Sequence, residues 1–163
     1  MKVVLDANCF IDAVNASSHA YSALERVFSA AKSRRIKLAI SRHTLEELSK
    51  KPDAAYELAK TVEIAPYCPI GTIAEQVATI QQLAGTLEDA KRNEQIQQEL
   101  EQLAKSGNDI RDRGAYLDAL RTGADAFVTS DRQLVGSGPA ERIQAKFGLC
   151  VLTPSELVSR ASL

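Results

Sequence analysis

Val3-Val4-Leu5-Asp6-Ala7-Asn8 joins a short unbroken apolar run to a carboxylate, and Ala126-Phe127-Val128-Thr129-Ser130-Asp131 repeats the pattern far downstream. Runs this short and this uniformly apolar mark strands buried on both faces. Lys37 to Ile40 and Leu149 to Leu152 have the same character. Between them lie helical patterns, the clearest being Ala20 to Lys32, with Ala23, Leu24, Val27, Phe28 and Ala31 at helical spacing. Strands alternating with helices imply a parallel sheet covered on both sides, so the expected fold class is α/β, a three-layer α/β/α sandwich. Thr153-Pro154-Ser155-Glu156 supplies an N-cap, a proline at the first helical position and a glutamate at the third, which predicts a final helix.

The middle of the chain departs from this alternation. Ile73, Val77, Ile80, Ala84 and Leu87 step by four and three, and Ile96, Leu100 and Leu103 do so again after the polar stretch 88–93. The spacing predicts a helical hairpin over about 72–105. An apolar stripe of this kind is core or a helix-pairing surface, and it makes a homodimer one expectation. The 163 residues suit a single domain, 1–163, able to bury a sizeable core.

Composition excludes several classes. The 20 Lys+Arg nearly balance 21 Asp+Glu, so nucleic-acid affinity must come from a local patch. Cys9, Cys68 and Cys150 are far apart and form no C-x-x-C pair, which argues against a disulfide framework or a structural zinc site and for a reducing cytoplasm. No stretch approaches the roughly 20 apolar residues of a membrane span, so no membrane partner is expected.

The acids then stand out by position. In a parallel sheet ligands bind beyond the C-terminal ends of the strands, so Asp6 and Asp131, each following a strand, would face one crevice. Either could instead cap the helix that follows it. Asp112 lies on the same helical face as Ala115, Tyr116, Ala119 and Gly123, where a carboxylate is costly unless paired or bound to metal. Glu46 and Glu47 are equally far from the Leu45/Leu48 stripe, and periodicity does not separate them. Clustered carboxylates repel, and a divalent cation relieves the repulsion. Oxygen donors without Cys or His suit Mg²⁺ or Mn²⁺, which activate water and offset phosphodiester charge. Thr129 and Ser130 add hydroxyls able to orient a metal-bound water or a phosphate.

Leu5-Asp6-Ala7-Asn8, Glu47-Leu48 following Ser41, and the block from Asp112 through Gly123-Ala124-Asp125-Ala126-Phe127-Val128-Thr129-Ser130-Asp131 together resemble the PIN-domain family, which includes VapC-type toxins of bacterial toxin–antitoxin pairs. The resemblance spans nearly the whole chain. It implies that Asp6, Glu47, Asp112 and Asp131 are the metal-binding, catalytic acids, with Asn8 in the small polar position and Thr129 in the hydroxyl position. It also selects Glu47 over Glu46, because the family's acid commonly precedes an apolar residue. By the same resemblance the protein is a metal-dependent endoribonuclease with an RNA substrate, toxin-like and paired with an antitoxin protein. Gln133 stands where the family often has a further acid, so an RNA-binding or scaffold PIN domain with an impaired metal site is the alternative. A haloacid-dehalogenase-like phosphatase would also start with a strand ending in Asp, but Asn8 occupies the place of its second acid.

Overall fold

The computed structural model describes residues 1–65, 116–117, 119–120, 122–132, 134–136 and 138–163, together with Lys91, Glu94, Gln95 and Gln98. The helical hairpin expected over 72–105 therefore lies almost wholly outside the described residues, as does Asp112. Strands β1 (Lys2–Leu5), β2 (Lys37–Ile40), β3 (Glu63–Ile64), β4 (Ala126–Val128) and β5 (Cys150–Leu152) form a five-stranded sheet in the order β3-β2-β1-β4-β5. Every pairing is parallel. Helices α1 (Ala7–Ala13), α2 (Tyr21–Lys32), α3 (Arg42–Ser49), α4 (Ala54–Ala59), α5 (Gly138–Phe147) and α6 (Pro154–Arg160) occupy the connections and the C-terminal end.

Side-chain parity along the strands builds the layers. Val3, Leu5, Leu38, Ile40, Ala126 and Val128 face one side, where they pack with Phe10 of α1, Leu24 and Val27 of α2, Leu48 of α3 and Leu157 of α6. Val4, Ala39, Phe127 and Val151 face the other, against Leu117, Leu120 and Ile143 of α5. A strand of period two with both faces covered must be apolar throughout, which is why these runs contain no alternation. The result is the α/β/α sandwich that the sequence implies.

Local signals set the boundaries. Thr153 and Glu156 close a reciprocal capping box, Glu156 N–H donating to Thr153 Oγ1 at 3.2 Å and Thr153 N–H to Glu156 Oε2 at 2.7 Å. Tyr116, Leu117, Ala119 and Leu120 are helical and buried. Their helix stops at Gly123, whose φ of 65° lies in the left-handed region open to glycine. Gly123 N–H bonds Leu120 O and Ala124 N–H bonds Ala119 O, the paired bonds of a Schellman end.

The strand order places a topological switch between β1 and β4. From β1 the chain moves outward to β2 and β3, then returns to the other side of β1 for β4 and β5. Crossovers leave opposite faces at such a point, and a crevice opens at the C-terminal ends of the two strands.

Phe127 is 1% exposed at the centre of this sheet, with its ring centroid 4.7 Å from that of Tyr116. Phe127→Ala should cost about 3–5 kcal/mol of stability through lost burial and the cavity it leaves. The shift in the urea midpoint, with an unchanged slope, measures it.

Candidate active site

The crevice at the switch point is built on Asp6. Its N–H donates to Val128 O at 2.9 Å, which continues the β1–β4 pairing one residue beyond the strand. Asp6 then caps α1: Oδ1 accepts the Ala7 N–H at 2.8 Å. Oδ2 accepts the Thr129 hydroxyl at 2.7 Å. Thr129 is fully buried, and its Oγ1 also accepts the Asp131 N–H at 3.0 Å. One hydroxyl thus ties the end of β1 to the turn after β4 and fixes where the Asp131 backbone leaves the sheet.

The cap reading of Asp6 is therefore realised, and its second oxygen is held from across the crevice. A carboxylate offers about four lone-pair positions and two are taken here, one on each oxygen. Burial pushes the Asp6 carboxyl above its ordinary value of 3.8. The Thr129 and Ala7 hydrogen bonds pull it down, while the negative charges of Glu47 and then Asp131 push it up. The Asp6 carboxyl senses both across the crevice. Glu47, exposed on α3, is the glutamate whose charge reaches Asp6, in keeping with the packing of α3 against α1. Ser41 holds α3 in place, its buried hydroxyl accepting the Thr44 N–H at 3.0 Å.

Of the residues singled out from sequence, Asp6 and Thr129 are joined directly, the Asp131 N–H bonds the same hydroxyl, and the charges of Glu47 and Asp131 reach Asp6. Asn8 is exposed in the first turn of α1. Ser130, whose Oγ lies 4.0 Å from Cys9 Sγ, also lines an adjoining cavity. Asp112 and Gln133 lie outside the described residues. Among the described residues no three Asp, Glu, His or Cys side chains close to metal-holding distance. The donor chemistry nevertheless fits a hard divalent cation, because the converging groups are carboxylates with a hydroxyl behind them. The neighbouring Cys9 thiol is no competing ligand: it is buried, donates to Val128 O at 3.3 Å, and burial holds its pKa far above the ordinary value. Cys150 is also buried and free.

Sequence reading missed the cavity beside the acids, a space of about 340 Å³ lined by His19, Ser130, Arg132 and Ser155 among others. These residues come from three separate stretches of chain, and no spacing rule joins them. Among the described residues, no helix is long and apolar enough to cross a membrane.

A family model described as the PIN domain matches residues 2–133. Among solved structures, the crystal structure of VapBC2 from Rickettsia felis bound to a DNA fragment from their promoter is similar to this chain with a TM-score of 0.51. It is 19% identical, and the match covers 94% of this chain and 98% of that one. No curated protein matches.

The raised Asp6 pKa has a thermodynamic consequence. The folded state binds the Asp6 proton more tightly than the unfolded state does. The cost of its charge is therefore absent below the ordinary value of 3.8 and grows as pH rises through the folded pKa. Asp6→Asn, whose amide can donate to Thr129 and accept from Ala7, should raise the melting temperature at pH 7.5 in chelator by about 2–4 °C per kcal/mol relieved. The gain should vanish near pH 4. Melting curves of the two proteins at both pH values measure it, and a destabilised mutant at pH 7.5 would contradict the assignment.

Proposed function

The chain belongs to the PIN-domain family, and on that premise we propose that it is a metal-dependent endoribonuclease that hydrolyses RNA phosphodiester bonds. The observation that carries this reading is the buried Asp6 carboxyl at the β1/β4 switch point, hydrogen-bonded to Thr129 and within reach of the negative charges of Glu47 and Asp131. Nothing in the fold requires three acids there, and a buried carboxylate with further negative charge in range forms a place where positive charge is stabilising. Asp112, matched by the family motif, would complete the set.

Asp6, Glu47, Asp131 and Asp112 would hold Mg²⁺ or Mn²⁺. The cation, when bound, would supply a water activated at neutral pH and offset the charge that gathers on the phosphodiester oxygens. Asp6 is oriented for this by Ala7 and Thr129, which leave one lone pair on each of its oxygens. Thr129 acts as a positioning residue, since its hydroxyl is spent on Asp6 and the Asp131 backbone. Asn8, exposed in the first turn of α1, would contact the strand being cut, and Ser130 would meet its backbone.

A toxin role with an antitoxin partner follows from the family resemblance, and the similar fold of VapBC2 is consistent with it. A homodimer built on the stripe at about 72–105, and a cytoplasmic location, complete the proposal. A second reading, a PIN domain that binds RNA without cutting it, is favoured by one observation: the described acids do not close to metal-holding distance by themselves.

End-labelled RNA incubated with Mg²⁺, Mn²⁺ or EDTA separates the two. Cleavage should require the divalent ion, and Asp131→Asn and Asp112→Asn should each lower the rate by about 10²–10³-fold, the scale of losing one preorganised electrostatic group. Both variants should keep the wild-type circular dichroism spectrum. RNA binding without metal-stimulated turnover would establish the second reading instead.

The rate should also fall on the acid side, as Asp6 takes up the proton its environment favours. Because metal and proton compete for the same oxygens, raising Mg²⁺ should move that acid limb to lower pH. Rate profiles at two Mg²⁺ concentrations read the displacement, and a limb indifferent to Mg²⁺ would remove Asp6 from the metal site.

A further inference from the structure

The cavity of about 340 Å³ beside the acids lies within the size range of small-ligand sites and at the same edge of the sheet. Its polar lining is cationic or neutral. His19 and Arg132 are exposed at its rim, Ser130 and Ser155 contribute hydroxyls, and Ala20 and Pro154 form buried apolar wall. It shares a wall with the crevice, because consecutive residues diverge after β4. Thr129 faces Asp6, while Ser130 lines the cavity. With β4 and β5 one strand spacing apart, about 4.8 Å, the cavity between their ends adjoins the crevice between β1 and β4.

The lining is held by bonds already made. The Ser18 hydroxyl donates to Asp12 Oδ1 at 2.8 Å and accepts the Ala20 N–H at 3.2 Å, which brackets His19 in the turn between α1 and α2. The capping box of Thr153 and Glu156 fixes the first turn of α6, where Ser155 sits. Thr129 N–H donates to Leu152 O at 3.0 Å, so Ser130 follows a backbone already paired to β5. Neither His19 nor Arg132 is committed to an ion pair among the described residues. Acids that assemble a cation site repel a polyanion, and a chain with net charge −1 supplies no general attraction to overcome this. A local cation next to the acids is the remedy, and Arg132 follows Asp131 directly.

We propose that this cavity is a phosphate subsite for the RNA strand, in which Arg132 and His19, with the Ser130 and Ser155 hydroxyls, hold the backbone phosphate one nucleotide away from the bond at the acids. The proposal rests on the nuclease reading only for the identity of the strand. Contacts of this kind place the strand without reading its sequence, and among the described residues no Phe, Tyr or Trp lines the cavity to stack a base.

Fluorescence anisotropy of a labelled single-stranded RNA, titrated with the full chain carrying Asp6→Asn in chelator, tests the subsite without cleavage. Adding Arg132→Gln should weaken binding about tenfold on RNAs of different sequence, and make the plot of log affinity against log salt shallower by about 0.7. His19→Gln should weaken it about threefold. Lys37→Gln, at the opposite end of β2, should change neither affinity nor slope. Arg132→Lys should recover the salt slope, because charge rather than shape sets it. Absence of RNA binding, or an Arg132→Gln variant within twofold in affinity with an unchanged slope, overturns the proposal. A wild type that binds in this manner and never cuts would sink the nuclease reading and leave the subsite standing.

Discussion

The hydrogen bond from the Thr129 hydroxyl to Asp6 is the interaction on which the site depends. It spans the seam between β1 and β4, the two strands that flank the reversal of strand order. Without it the Asp6 carboxylate would be a buried charge with one backbone partner, and burial alone would favour its neutral form. With it, one oxygen is fixed against α1 and the other against β4, and the side chain keeps one orientation. The same hydroxyl accepts the Asp131 N–H, so two acids 125 positions apart in the chain are referred to a single buried oxygen. The arrangement costs stability whenever the crevice is charged and empty of cations, a common trade between stability and function.

The sandwich was legible because each of its central strands is buried on two faces. Val3 to Leu5, Leu38 to Ile40 and Ala126 to Val128 must satisfy two layers at once, and that requirement writes an unbroken apolar run. The final helix was legible for a different reason, since its capping box is a local device that needs no tertiary information. β3 was not legible. Glu63 and Ile64 are both exposed at the end of the sheet, so the two-sided burial that marks the other strands is missing there. The helix α4 was missed as well, because its six residues bury only alanines, Ala55 and Ala59, and leave no stripe of large side chains.

The acids divide in the same way. Asp6 and Asp131 could be found because they follow strands, and the strand ends of a parallel sheet define the functional edge. Glu47 could not be separated from Glu46 by helical geometry, as both are exposed and flank one apolar stripe. Glu47 is the one whose charge reaches Asp6, a tertiary fact that follows from how α3, anchored by Leu48 and the Ser41 cap, runs past α1. His19, Arg132 and Ser155 carry no pattern of their own. Each belongs to a turn or a helix start, and only the closeness of three connections at one sheet edge makes them a group.

The order of charges along that edge has a further meaning. Asp131 and Arg132 are adjacent in sequence, yet one lies near the acids and the other lines the cavity, so the chain reverses the sign of its potential within a single residue. A polyanion approaching from solvent meets repulsion on one side of Ser130 and attraction on the other. On the proposed function such a gradient would orient a strand as well as attract it: a phosphate held on the basic side would set which phosphate reaches the acids, where binding becomes favourable only once their charge is neutralised. A site with acids alone would have to use its cation both to recruit the strand and to activate water. Separating the two tasks by one strand spacing would leave the acids to hold a cation while the basic side takes the strand.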